Sequence, residues 1–169
     1  TSGTTGNPKG AMLTHNNFMS NARACVEILG ITHADVFLSF LPLAHVFERM
    51  AGQYLPLCCG ATVAYAESPF TVAKNMMEVR PTVMASVPRL YEMMHEKIIR
   101  SVHESSPFKQ KIFYWSVGIG EKVSQAVQQK KRPSPLSKIQ FSLANKLVFK
   151  KLQEATGGRL RFFVSGGAP

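Results

Sequence analysis

Val36-Phe37-Leu38-Ser39-Phe40-Leu41 is apolar at every position but one, with no alternation of polar and apolar residues. A strand with one wet face alternates, whereas continuous apolarity belongs to a strand covered on both faces, as in parallel sheets. Three further runs share this character: Ala61–Ala66 (ATVAYA), Thr82–Ser86 (TVMAS) and Leu160–Val164 (LRFFV). Each is short, rich in Val, Phe or Leu, and bounded by Gly, Pro or Ser.

Helical periodicity fills the intervals. Phe18, Ala22, Val26 and Leu29 fall on one helix face, with Thr14 or Asn16 available as cap. Ser68-Pro69 is expected to open a second helix, and Leu90, Met94, Ile98 and Val102 mark a third. Phe108–Gln129 and Ser137–Ala155 are longer helical stretches, separated by Lys130-Lys131-Arg132-Pro133-Ser134-Pro135. Gly157-Gly158 stops the last helix before the final strand. There is no internal repeat. Strands alternating with helices predict an α/β fold, a mostly parallel sheet with crossover helices.

Bulk properties agree. The 169 residues fit about one domain of ~100–200 residues, and 45% apolar with 18% charged residues excludes a disordered chain. Val36–Phe47 and Met50–Ala66 lack charge but carry Pro, Gly, Gln or His. Neither is an unbroken apolar run of ~18 residues, so no transmembrane helix is expected. No basic-then-apolar leader opens the sequence. Cys25, Cys58 and Cys59 show no disulfide or zinc spacing and read as small buried residues in a reducing compartment.

Charge is distributed unevenly. The net charge is +10, yet residues 1–104 hold 8 basic and 8 acidic side chains, while residues 105–169 hold 12 basic and 2 acidic. Such a field favours anionic partners: a nucleotide, coenzyme phosphates, a membrane surface or nucleic acid.

Thr1-Ser2-Gly3-Thr4-Thr5-Gly6-Asn7-Pro8-Lys9-Gly10 carries the chemistry. Its glycines let backbone N–H groups approach an anion, and Ser2, Thr4 and Thr5 can donate to phosphate oxygens. Thr4 or Thr5 could also face a magnesium ion, and Lys9 supplies a mobile charge for the outer phosphates. A Walker loop is excluded by register: five residues after Gly3 stands Pro8, and Lys9 is followed by Gly10. A plain Ser/Thr/Gly linker is the other alternative. The sequence begins inside this loop and ends at Ser165-Gly166-Gly167-Ala168-Pro169, just after a strand, where open α/β sheets bind ligands. Both ends are therefore expected to be cuts through one binding site.

The ten-residue loop resembles the phosphate-binding signature of the adenylate-forming superfamily, [ST]-[ST]-G-[ST]-T-G-x-P-K-G, at every fixed position. Leu41-Pro42-Leu43-Ala44-His45-Val46-Phe47-Glu48-Arg49 is similar to a segment of the long-chain fatty acid–CoA ligases. So are Arg80-Pro81-Thr82, Val87-Pro88-Arg89-Leu90-Tyr91, Leu147-Val148-Phe149 and Gly157-Gly158-Arg159-Leu160-Arg161. The resemblance spans essentially all 169 residues. It implies an internal segment, residues 1–169, of one AMP-binding domain, part of the large N-terminal domain and truncated at both ends.

That resemblance also implies a two-step ligase. A long-chain fatty acid carboxylate attacks the α-phosphorus of ATP, releasing pyrophosphate. The coenzyme A thiol then displaces AMP. Thr1, Ser2, Gly3, Thr4, Thr5, Gly6, Lys9 and Gly10 would hold the phosphates, with Thr4 on Mg²⁺. Gly166, Gly167, Ala168 and Pro169 would floor the nucleotide and acyl-adenylate. Lys9, Thr4, Thr5 and His45 are the implied catalytic residues, His45 as a shape and polarity element near the carboxylate rather than a general base. No protein nucleophile is required. The family's magnesium-binding Glu, ribose-binding Asp and C-terminal catalytic Lys would lie past Pro169, so the segment alone is expected to be inactive.

Remaining positions carry two readings each. Glu48-Arg49 reads as an ordinary surface pair. Phe40, Phe47, Met50 and Tyr54 could line an acyl tunnel or fill a core. Arg89 could meet a coenzyme A phosphate or cap a neighbouring element. Lys130–Arg132 reads as a solvated loop, or as a contact with anionic lipid on the cytoplasmic face of a membrane. Two functional alternatives stand beside the ligase: an adenylate former that passes its acyl group to a carrier protein, and a non-catalytic nucleotide- or nucleic-acid-binding module. The second lacks an aromatic-plus-basic recognition motif.

Overall fold

The computed structural model describes residues 10–166. Helix α1 (His15–Leu29) begins at a reciprocal cap: Thr14 Oγ1 accepts from the Asn17 N–H at 3.3 Å, and Asn17 Oδ1 accepts from the Thr14 N–H at 2.8 Å. It stops at Gly30, whose φ of 59° returns its N–H to the Val26 carbonyl. Four strands follow, β1 (Val36–Ser39), β2 (Thr62–Tyr65), β3 (Val83–Ser86) and β4 (Phe162–Ser165). They form one parallel sheet in the order β2-β1-β3-β4, with Val36 opposite Thr62 and Val83 opposite Phe162. The α/β class and the crossovers are as expected from the alternating runs.

Burial follows sheet position. The central strands β1 and β3 are covered on both faces, whereas β2 and β4 are edges and only half-buried. Continuous apolarity therefore overstated the cover on the edge strands. Alternating side chains divide the core into two layers. Phe37, Val83 and Leu55 pack with Ile31, Val26 and Leu29 on the face carrying α1 and α3 (Leu55–Cys59). Leu38 and Met84 pack with Val72, Met76 and Leu90 on the face carrying α4 (Val72–Val79) and α5 (Pro88–His103).

Other departures have local causes. Ser68-Pro69 does not open α4. Thr71 Oγ1 accepts from the Ser68 N–H at 3.0 Å, closing a turn that delays the helix to Val72. The segment Pro42–Gly60, which had no helical reading, contains α2 (Val46–Glu48), a π-helical segment Arg49–Tyr54, and α3. Helix α6 (Pro107–Gln128) matches its expectation within a residue. The stretch after the Pro-rich break starts at Pro135. It is divided into α7 (Pro135–Ala144), a π-helical segment Asn145–Phe149 and α8 (Lys150–Glu154). All three cysteines are free and half-buried rather than fully enclosed.

The amino end of the sheet is bolted by charge. Asp35, before β1, accepts from Arg161 Nη1 at 2.8 and 2.9 Å, from Thr82 Oγ1 at 2.7 Å and from the Thr32 N–H at 2.9 Å. Burial alone would raise the Asp35 carboxyl. The Thr82 and Thr32 hydrogen bonds, with Arg161, outweigh it and hold the group below its ordinary range. This cluster ties β1, β3 and β4 together and leaves the carboxyl end for chemistry.

Candidate active site at the carboxyl ends of the strands

Ser39 ends β1, and the chain then turns through Phe40–His45 into α2. His45 caps this short helix, its Nδ1 accepting from the Phe47 N–H at 3.2 Å. The cap fixes the ring and leaves Nε2 available to a ligand, since His45 is exposed.

Three residues later the structure overturns the expectation of a surface pair at Glu48-Arg49. Arg49 is exposed, but Glu48 is 0% exposed. It makes no ion pair among the described residues. Its Oε1 accepts from Ser39 Oγ, Ser39 Oγ accepts from Gln53 Nε2 at 3.2 Å, and Gln53 Oε1 accepts from Tyr65 Oη at 2.7 Å. Every donor in this chain points toward Glu48, from a half-exposed tyrosine at the end of β2 to a buried carboxyl behind β1. Burial raises the Glu48 pKa, and the Ser39 hydrogen bond only partly opposes it.

The π-helical segment makes this possible. It packs against β1 and β3, and its wider turn places Gly52 directly over the Glu48 carboxyl. A β-carbon at Gly52 would overlap Glu48 Oε1. Such π segments recur at functional sites because they redirect side chains that a regular helix would stack. Two signals for this site were present in the sequence: a lone Ser39 inside an apolar strand, and Gly52 four residues after Glu48.

The adjacent strand exits complete the floor. Ser86 ends β3 fully buried, with no hydrogen-bond partner for its Oγ, and Glu48 Oε2 likewise has none. The Ser86 carbonyl accepts from the Gly166 N–H at 3.3 Å. Gly166 follows β4 and lies under Phe47, whose ring would stand 2.6 Å from an added β-carbon. Thus His45, Phe47 and Gly166 stand where β1 and β4 end, with Glu48 buried on one face of the sheet and the Ser86 hydroxyl on the other, at the usual binding edge of an open parallel sheet.

Of the other predicted site residues, Gly10 is exposed with open space around it. Thr1, Ser2, Gly3, Thr4, Thr5, Gly6 and Lys9, with Gly167, Ala168 and Pro169, lie outside the described residues. Of the tunnel candidates, Phe40 packs on the α4–α5 layer and Tyr54 meets Phe18 edge-on at 5.0 Å. Arg89 pairs with Glu92 at 3.0 Å, both well exposed. Among the described residues, no three His, Cys, Asp or Glu side chains converge as a metal site. The expected Mg²⁺ ligand, Thr4, is outside them.

A parallel sheet with polar residues at its strand exits defines an open α/β binding edge. The match to known proteins narrows the class: the AMP-binding enzyme family model covers residues 1–169, and the chain belongs to that family. It is 36% identical over its whole length to long chain acyl-CoA synthetase 6, peroxisomal, of Arabidopsis thaliana, of which it covers 23%. It is 34% identical, again over its whole length, to the long-chain-fatty-acid–CoA ligase ACSBG2 of Homo sapiens, covering 26% of that protein. Among solved structures, ATP-bound MatB from Rhodopseudomonas palustris superposes with a TM-score of 0.57 and 25% identity, over all of this chain and 23% of that one. The chain therefore spans less than a third of the length of the curated relatives it matches.

Proposed function

We propose that this chain is an internal segment of the AMP-binding domain of an enzyme that activates long-chain fatty acids with ATP and transfers them to coenzyme A. The observation that carries this reading is the similarity, over the whole of this chain, to long-chain acyl-CoA synthetases.

In the first step the fatty acid carboxylate attacks the α-phosphorus and pyrophosphate leaves. In the second the thiol attacks the acyl carbon and AMP leaves. The protein's contribution is positioning and charge placement. Ser2, Thr4, Thr5 and Lys9, on their glycine-rich loop, hold the phosphates. Thr4 would be among the ligands of a Mg²⁺ ion, which would neutralise charge on the triphosphate. Gly166, Gly167, Ala168 and Pro169 form the floor beneath the adenylate. His45 Nε2, fixed by the cap at Nδ1, offers a hydrogen bond near the carboxylate, and Phe47 closes the apolar side.

Lys130, Lys131 and Arg132 form an exposed loop after α6 and are the proposed contact with an anionic membrane surface on the cytoplasmic side. No helix among the described residues is long and apolar enough to cross a membrane. Vesicle binding that survives replacement of all three by alanine would refute this contact.

The deciding experiment is fatty-acid-dependent exchange of pyrophosphate into ATP by the intact protein, followed by product analysis with coenzyme A or an acyl carrier protein as acceptor. Exchange with every acyl length and thioester formation with coenzyme A are separable results. Absence of exchange sinks the ligase reading, and product on the carrier alone assigns the other acceptor. The isolated 169-residue chain is expected to give no exchange.

A further inference from the structure

On the sheet face opposite Glu48, the basic C-terminal third encloses a groove that the catalytic reading does not use. Alternation along the strands separates the two: Ser39 and Glu48 share the α1–α3 face with Phe37, while Met76 and Leu90 belong to the α4–α5 face. There α6, α7 and α8 form a layer of their own. Phe149 packs its ring tip on Gly120 and on Phe141. Gln110 Nε2 ties the start of α6 to the end of α5 by donating to the His103 and Ser105 carbonyls at 3.1 and 2.9 Å. Beyond that corner, residues of α4, α5, α6 and α8 line a cleft of about 820 Å³. That volume falls within the ~300–1,000 Å³ typical of small-molecule sites.

The cleft has a composition with a definite meaning. Its floor is aliphatic, with Met94, Ile98, Ile112 and Leu152 among its residues. Three cations, Lys97, Lys109 and Lys151, also line it, and no Asp or Glu does. None of the three makes an ion pair among the described residues. An apolar trough bordered by unneutralised ammonium groups is complementary to one ligand chemistry: a single hydrocarbon chain ending in an anion.

We propose that this groove is a second binding site, separate from the strand-exit site, for a single-chain anionic amphiphile. A free fatty acid or its coenzyme A thioester would supply that chemistry. The choice of acyl ligands rests on the proposed ligase function, but the groove's charge and shape do not.

The test is equilibrium binding of cis-parinaric acid, by its fluorescence, to the intact protein, with palmitate, palmitoyl-CoA and hexadecanol as competitors. The expected result is a population of probe displaced by palmitate or palmitoyl-CoA and only weakly by hexadecanol. Whichever anionic competitor is stronger identifies the source. Replacing Lys97, Lys109 and Lys151 together by glutamine should weaken that population about tenfold, because three charge-assisted contacts are lost. Ile98→Trp, which fills the trough, should remove it. Equal competition by hexadecanol, or unchanged binding in both variants, would overturn the proposal. Pyrophosphate exchange run in parallel keeps the two readings apart: its absence defeats the ligase assignment while the binding arms still report on the groove.

Discussion

Burial sets the behaviour of Glu48. Its pKa in the folded protein lies above the ordinary value of 4.5, so below that value both states hold the proton and the site costs nothing. As pH rises through the folded pKa the buried carboxyl must ionise, and stability falls. Glu48→Gln keeps the shape without the charge. Its stability relative to wild type should therefore improve as pH rises above 4.5 and level off once the folded carboxyl has ionised, in urea melts, and a difference flat throughout would contradict the assignment. Gly52 is the second pivotal residue. Gly52→Ala should destabilise by about 2 kcal/mol, since the new methyl displaces the carboxyl from Ser39. Glu48→Ala should recover part of that loss, because it removes the atom in conflict. A double-mutant cycle measures this coupling, and simple additivity would show that the two residues do not meet.

At the scale of elements, α6 offers an internal control. Gly118 and Gly120 lie two residues apart in one helix, yet an added β-carbon meets nothing at Gly118 and meets the Phe149 ring at 2.9 Å at Gly120. Gly118→Ala should gain about 0.5–1 kcal/mol from backbone entropy alone. Gly120→Ala should lose that gain or reverse it by pushing the π-helical segment Asn145–Phe149 off α6. Thermal melts of the two variants read the difference directly. Periodicity located α1, α5 and α6 well, because one apolar face is written into their spacing. The π-helical segments escaped it, because an extra residue per turn breaks the 3.6 period that the eye follows. Their existence depends on what they pack against, β1 and β3 in one case and α6 in the other.

Across the whole molecule, the Asp35–Arg161 pair joins residues 126 positions apart and closes the sheet between its first and last strands. Arg161 is 43% exposed, so solvent screens part of the pair, and Arg161→Gln should cost only about 1–2 kcal/mol. Asp35 has a lowered pKa, so its contribution is present above the ordinary value of 3.8 and is lost as pH falls through the folded pKa. The Arg161→Gln deficit should accordingly shrink toward pH 2, in chemical melts at several pH values. Charge is also partitioned at this scale, with the basic excess confined to residues 105–169. Those residues build the α6–α8 layer, and two of them, Lys109 and Lys151, line the cleft together with Lys97 of α5.

Much of this protein was legible without coordinates. Strand class, crossover order and the family resemblance follow from short-range patterns: runs of apolar residues, helical spacing, and a ten-residue glycine- and hydroxyl-rich loop that matches a family signature. His45 and Gly166 stand at the strand exits because a parallel sheet offers only one such edge. What tertiary structure alone decided is the environment of individual side chains. Glu48 reads as a surface acid by its type and its neighbour Arg49, and it becomes a buried one because a π turn rotates it behind Ser39. The apolar residues of α5 and α6 read as marks of helices, and only their packing with α4 and α8 shows that several of them line a groove. Sequence specifies which residues prefer burial, while the packing of distant segments determines what they are buried against.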